Sequence, residues 1–255
     1  MIKFLLFFFI IIFNSNYAAS RNAGETEVTT EDGIEVFQEE KYYLLKKNVE
    51  ILSDDFDLNG QLVKIFFEND LYDMRELIAN EDVSFISSAY NVSGKGDYLQ
   101  FEIKTQKIHV SGIGSELKLE NTEMYSDGDI RVDNLRGSFS VEGPNSSLIS
   151  DNTIIIASKI NGIFEMIDGK RNISIIEVED NNITNIKTDD IDMFSKKAVY
   201  EKNKSIIELF EDVKINRGGE IITGDYGIFN TNKKSYKVSS KDTKKVKAII
   251  TNTNE

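Results

Sequence analysis

The sequence predicts an all-β chain of short antiparallel strands, and three observations carry that expectation. Apolar and polar residues alternate in runs of a few residues with turn residues between them, the period-two signature of a strand with one buried face. Helical spacing is confined to Leu71, Met74, Leu77 and Ile78. The third observation is a passage written twice, about 128 residues apart. Glu81-Asp82-Val83-Ser84-Phe85 leads into Gly96-Asp97-Tyr98, then Phe101 and Val110-Ser111. Glu211-Asp212-Val213-Lys214-Ile215 leads into Gly224-Asp225-Tyr226, then Phe229 and Val238-Ser239. A repeat of strand and turn with no catalytic constellation inside it marks a modular β scaffold whose function lies in a surface or groove.

The chain opens with Lys3 and an apolar run from Phe4 to Phe13, followed by Asn14-Ser15-Asn16 and the small residues Ala18-Ala19-Ser20. Such a run is too short for a bilayer core of about 30 Å, and it suits the apolar region of a secretory leader. Residues 1–20 therefore read as a signal peptide and 21–255 as the folded domain. A short uncleaved anchor is the rival. The leader carries one charged side chain, Lys3, so its removal takes the formal charge from −13 to −14. An acidic balance of that size argues against nucleic acid, since phosphate contacts need a basic field. With no cysteine in the chain, disulfides and thiol chemistry are excluded, as is a lipid-modified N-terminal cysteine. Sixteen Phe and ten Tyr indicate a large apolar interior.

Residues 21–33 are polar and aperiodic and read as a loose leader into the first strand. Alternation then begins at Val49 and Ile51, Phe56 and Leu58, and Val63, Ile65 and Phe67, with Asn59-Gly60 as the expected turn. The region Asn69–Asn80 would fit a helix, but the second copy is short there and carries Ile206-Ile207, which favours strand. Leu99, Phe101 and Ile103, then Ile108 and Val110, then Leu117 and Leu119 continue the pattern, and later runs reach Val246–Ile250. About fourteen to eighteen strands result, and neighbours in sequence pair most often, which favours an antiparallel meander or jelly roll over a propeller.

Motifs with chemical meaning fail on inspection. Asp55-Phe56-Asp57-Leu58-Asn59-Gly60 matches half of a calcium loop, but the position that needs a bidentate Glu is Phe66. His109, the only histidine, is placed by the pleat on the face opposite Ile108 and Val110 and has no Cys or second His for a zinc site. Gly94-Lys95-Gly96 and Gly112-Ile113-Gly114 read as turns, not phosphate loops. Asp189, Asp190 and Asp192 read as a solvated loop. No pair of carboxylates or nucleophile–base pair is singled out, so the chain reads as non-enzymatic, with no cofactor and no metal. Lys233–Lys247 holds seven lysines and one acid, Asp242, and reads either as a patch for an anionic headgroup or as protection of an open edge.

The pattern of a strand ending in Asn-Val or Asp-Val, an entry into Gly-Asp-Tyr and an exit near Val-Ser resembles the OstA/LptA family of periplasmic lipopolysaccharide-transport proteins. The resemblance is strongest from Lys197-Ala198-Val199-Tyr200 through Ile221-Ile222-Thr223-Gly224-Asp225-Tyr226 to Ser235-Tyr236-Lys237-Val238 and Lys244–Ile250. It is fair over 41–120 and poor over 121–190. The chain departs from the family by lacking the glycine of Gly-Asn-Val before Val49, Val83 and Val213, and by its length; an LptC-like membrane-anchored component shares the scaffold.

The resemblance implies an open antiparallel β-jelly roll enclosing an apolar groove for the acyl chains of lipid A, a periplasmic location, and partners of the same fold in a bridge between membranes. Each acyl CH₂ kept from water is worth about 0.8 kcal/mol, so a chain of about a dozen carbons needs shielding worth close to ~10 kcal/mol. The residues expected to supply it are Val49, Ile51, Phe56, Val63, Ile65, Phe67, Val83, Phe85, Leu99, Phe101, Ile103, Ile108, Val110, Ile215, Ile222, Ile228 and Val238. Unpaired edges at Ile34–Phe37 and Val246–Ile250 are expected to pair head to tail between copies. A non-catalytic surface or carbohydrate-binding β protein is the alternative class.

Overall fold

A computed structural model describes residues 22–69, 73–241 and 245–251. The leader expected at 1–20, and Leu71, lie outside the described residues. Strands β1 Glu27–Thr29, β2 Ile34–Phe37, β3 Tyr42–Leu52, β4 Phe56–Phe67, β5 Met74–Ser87, β6 Val92–Glu102, β7 Lys107–Ser111 and β8 Ser115–Leu119 form the first part. They are followed by β9 Thr122–Ser126, β10 Asp129–Asp133, β11 Ser138–Glu142, β12 Ser147–Ser150, β13 Thr153–Ile156 and β14 Lys159–Ile167. The last are β15 Lys170–Lys187, β16 Asp192–Glu201, β17 Ile206–Arg217, β18 Glu220–Asn230, β19 Ser235–Ser239 and β20 Lys247–Ile250. Met74–Ser87 is strand, as the second copy indicated.

Every pairing is antiparallel, and the order resolves into two facing layers joined along one side, an open jelly roll. The first layer runs β2, β3, β4, β5, β6, β7, β10, β11, β14, β15, β16, β17, β18, β19. The second runs β1, β3, β4, β5, β6, β8, β9, β12, β13, β15, β16, β17, β18, β20. Eight long strands, β3–β6 and β15–β18, belong to both. Each is two short segments with an interruption of its pairing between them, and these interruptions form a spine.

The repeated sequence is the chemistry of that spine. Lys47-Asn48, Glu81-Asp82 and Glu211-Asp212 all take positive φ, between 46° and 63°, and each pair precedes a buried valine that re-enters the core. Asn and Asp tolerate this left-handed region better than other side chains, which explains Asn-Val and Asp-Val as a signature. The Gly of Gly-Asp-Tyr sits where β6 and β18 cross from one layer to the other. A Cβ on Gly96 would meet Val110 Cγ1 at 2.8 Å, and one on Gly224 would meet Val238 Cγ1 at 2.6 Å. The two copies therefore occupy equivalent crossings near opposite ends of the roll.

Three expectations change. Asn59-Gly60 does not reverse the chain; it lies inside β4 where the register shifts between Asn59 and Leu62, so the strand bends from one layer to the other. Gly94-Lys95-Gly96 lies inside β6, where Gly94 leaves room for the Phe85 ring, 2.7 Å from where a Cβ would stand. Twenty strands form among the described residues, and β1 lies within the expected loose leader. Strands such as β9 and β12 lack a full apolar alternation, because Thr122, Ser126 and Ser150 occupy inward positions. Ser126 and Ser146 satisfy each other there through a 2.9 Å hydroxyl hydrogen bond.

Candidate functional site: the space between the layers

Each layer offers a ladder of inward side chains running strand to strand along the whole roll. In the first it is Ile34, Leu45, Val63, Ala79, Leu99, Val110, Ile130, Val141, Ile160, Val178, Ala198, Leu209, Gly227 and Val238. In the second it is Val28, Ile51, Leu58, Phe85, Gly94, Leu117, Met124, Leu148, Ile155, Ile186, Met193, Ile215, Ile222 and Ala248. The ladders face one another and pack into one apolar core, with Leu58, Val63, Leu99, Ile130, Leu148 and Ile160 fully buried. Through the middle of the roll the interior is filled. Gly162 faces Phe139 so closely that its missing Cβ would stand 2.1 Å from the ring.

Sixteen of the seventeen groove candidates belong to this interior or pack against it: Val49, Ile51, Phe56, Val63, Ile65, Phe67, Val83, Phe85, Leu99, Phe101, Ile103, Ile108, Val110, Ile215, Ile222 and Val238. Ile228 does not. It stands between Glu208 and Lys237 on the outward face, because Gly227 and Phe229 take the inward positions of β18.

Space opens along the mouth, the side opposite the spine. Near the N-terminal end a cleft of about 340 Å³ lies between the layers, with Ile51, Phe56 and Tyr90 on one wall and Met74, Leu77, Phe101 and Ile103 on the other. Its floor is aromatic: the Phe56 ring stacks 6.0 Å from Phe101 and 6.2 Å from Phe85, and Tyr90 meets Phe101 edge-on at 5.4 Å. The volume falls at the lower end of the range for small-molecule sites, about 300–1,000 Å³. Glu25, Asp54 and Asp55 make one rim acidic. Lys41 and Lys104 stand on the lip of the first layer, both drawn to Glu68. Met74, Leu77 and Tyr90 were not among the sequence candidates. Met74 and Leu77 carried a signal in their apolar spacing that helical periodicity obscured.

Elsewhere the mouth is latched. Arg171 on β15 donates to the Tyr90 carbonyl and to Asn134 Oδ1, each at 3.0 Å, and to Glu120 at 3.3 Å, so one guanidinium ties turns from both layers. Lys202 reaches across to Asp151, and Lys234 to Asp189. At the C-terminal end the Tyr236 hydroxyl donates to Glu220; burial first, and then that carboxylate, push the phenol up to about 12.

Chemistry-bearing residues are dispersed. His109 faces outward and bonds Asp129 Oδ1 at 2.6 Å. Asp189 and Asp190 are engaged by Lys234 and Arg217, and Asp55–Gly60 is a turn residue followed by strand. Among the described residues no group of His, Asp or Glu is arranged to hold a metal ion.

No protein-family model matches the chain, and no curated protein matches it. Among solved structures similar to it is the crystal structure of LptH from Pseudomonas aeruginosa, described as the LptA homologous periplasmic component of the conserved lipopolysaccharide transport device. That chain is 10% identical, and the match covers 51% of this chain and 95% of that one at a TM-score of 0.45.

Proposed function

We propose that this chain is a non-enzymatic periplasmic carrier that shelters the acyl chains of lipopolysaccharide between its two layers. The observation that carries this reading is the pair of continuous inward ladders meeting an unlatched, aromatic-floored cleft at one end of the mouth. An acyl chain entering there exchanges water for Phe56, Phe101, Met74 and Leu77, and no reactive group is needed. The sequence resemblance over 197–250 supports the same reading. Widening of the mouth beyond the cleft requires release of the Arg171 latch, because the interior past it is packed.

Among the described residues, the inward rows are not fully covered at either end of the roll. Ile34 and Val36 are 50% and 45% exposed at the N-terminal end, and Val238 and Ala248 are incompletely covered at the other. Stacking copies, or partners of the same fold, would continue the apolar path. The topology also moves the expected contact. Ile34–Phe37 edges the first layer and Lys247–Ile250 the second, so a continuous stack pairs β19 with β2 and β20 with β1. Glu27 and Glu35 on one pair of edges and Lys237 and Lys247 on the other favour that order.

A photoreactive phenylalanine analogue tests the site. Placed at Phe56 or Phe101 in cells, it should capture lipopolysaccharide. Placed at Phe194, which faces outward beneath Lys214 at 5.3 Å, it should not. Equal capture at all three positions would remove the interior assignment.

A further inference from the structure

The outer face of the first layer carries a second recess, larger than the cleft, at about 640 Å³. It exists because the short side chains Ser138, Ser140 and Asn161 stand among longer outward ones. One outward row reads Gln100, His109, Arg131, Ser140, Asn161, Glu177 across six adjacent strands. The row beside it places Ser138 next to Ser140 on β11, and then Ile163 and Ile175. Toward the ends of the same face stand large rings, Phe37 stacked on Tyr42 at one side and Phe210 against Tyr226 at the other. Small residues between large ones make a trough that runs across the strands.

The walls of this trough are held from outside it. Asp129 Oδ1 takes both His109 Nε2 at 2.6 Å and Arg131 Nη2 at 2.9 Å, and Glu76 takes the Gln100 amide at 2.5 Å. The floor is different. Among the described residues, the side chains of Ser138, Ser140, Asn161 and Glu177 have no hydrogen-bond partner. Donors and acceptors thus recur at strand spacing, about 4.8 Å, and the carboxylates of the lining, Glu102, Asp133 and Glu177, outnumber its cations, Lys107 and Arg131. Beside them Ile163, 45% exposed, and Ile175 offer an apolar strip.

We infer that this trough is a binding site for an oligosaccharide. Sugar hydroxyls each donate and accept, which suits alternating amide, hydroxyl, guanidinium and carboxylate groups, and the C–H face of a sugar ring suits the isoleucine strip. The excess of carboxylates disfavours a polyanion. This site is separate from the lipid reading, since its polar side chains stand at the outward positions of their strands, while Ile108, Val132 and Phe139 line its floor from the inward positions.

Isothermal titration of the full mature chain tests it with maltohexaose, chitohexaose and the acyl-free core oligosaccharide of lipopolysaccharide, the last arm distinguishing a free glycan from the saccharide of a carried lipid. At least one should bind, Ser140→Trp should weaken it by about tenfold or more by filling the floor, and Asn161→Ala should weaken it severalfold. Lys214→Ala, on the outer face of the other layer, should bind as the unchanged chain does. Circular dichroism identifies any variant that fails to fold, and Asn161→Ala, an outward truncation, keeps the comparison intact if Ser140→Trp does. No binding of any of the three sugars at millimolar concentration, or equal binding by both trough variants, overturns the site. Lipid capture at Phe101 is unaffected by either result.

Discussion

Arg171 donates to the carbonyl oxygen of Tyr90 at 3.0 Å, across 81 residues of chain and across the mouth between the two layers. The same side chain engages Glu120 and is 15% exposed, so the contact is a largely desolvated latch at the inner limit of the aromatic cleft.

Arg171→Ala should therefore both destabilise and open the roll. Loss of a charged, largely buried donor leaves the Tyr90 carbonyl and Asn134 Oδ1 without that partner and Glu120 with only the backbone N–H of residue 171, at a cost of about 1–3 kcal/mol. Urea titration should show that loss, and an apolar fluorescent probe should bind more strongly to the variant under native conditions. Unchanged probe binding would separate the latch from access.

Gly162→Ala should cost about 1–3 kcal/mol, because the added methyl must displace the Phe139 ring in a packed interior. The Phe139→Leu background should recover part of that loss. Thermal melting of the two single variants and the double variant measures the coupling.

Glu211→Gly should stabilise the chain. Glu211 holds φ at 63° at the spine, a conformation that costs a side chain about 1–2 kcal/mol. Glycine removes most of that strain, offset in part by its larger unfolded-state entropy, so a gain of up to about 1 kcal/mol is expected by denaturant titration.

Alkaline pH should loosen the C-terminal end of the roll. Tyr236 has its phenol raised from 10.0 to about 12 by burial and by Glu220, so its neutral form is favoured in the folded state. That stabilisation is fully present below about pH 10 and is lost as pH rises through about 12. Tyr236→Phe should flatten stability over that window, read as melting temperature against pH.

Association should be open-ended if the edges pair as proposed. Light scattering over a concentration series should show mass rising without a plateau, and a chain ending at Ser240, which lacks β20, should show less. A concentration-independent monomer would rule out stacking. Intact mass after cell fractionation addresses the leader: a chain still beginning at Met1 in the membrane pellet would favour the anchored alternative.

The sequence by itself determined the β class and the two faces of most strands, because a pleated strand alternates with period two and Leu99, Phe101, Ile108 and Val110 stand alternately apolar. It also revealed the repeat, since positive φ restricts residue choice at Asn48, Asp82 and Asp212 wherever the chain turns the spine. What only the tertiary structure decided is how those segments join. The break in alternation between Leu58 and Val63 reads as a turn, but a register shift of the same size lets one strand pass into the facing layer, and local sequence does not distinguish the two. Ile228 was assigned inward for a related reason: apolarity marks a face only where the inward residues are themselves apolar, and Gly227 is not informative. The Arg171 latch joins residues up to 81 apart, the cleft is assembled from separate strands, and the polar trough depends on six strands aligning in register; such long-range pairings leave no periodic trace in a single chain.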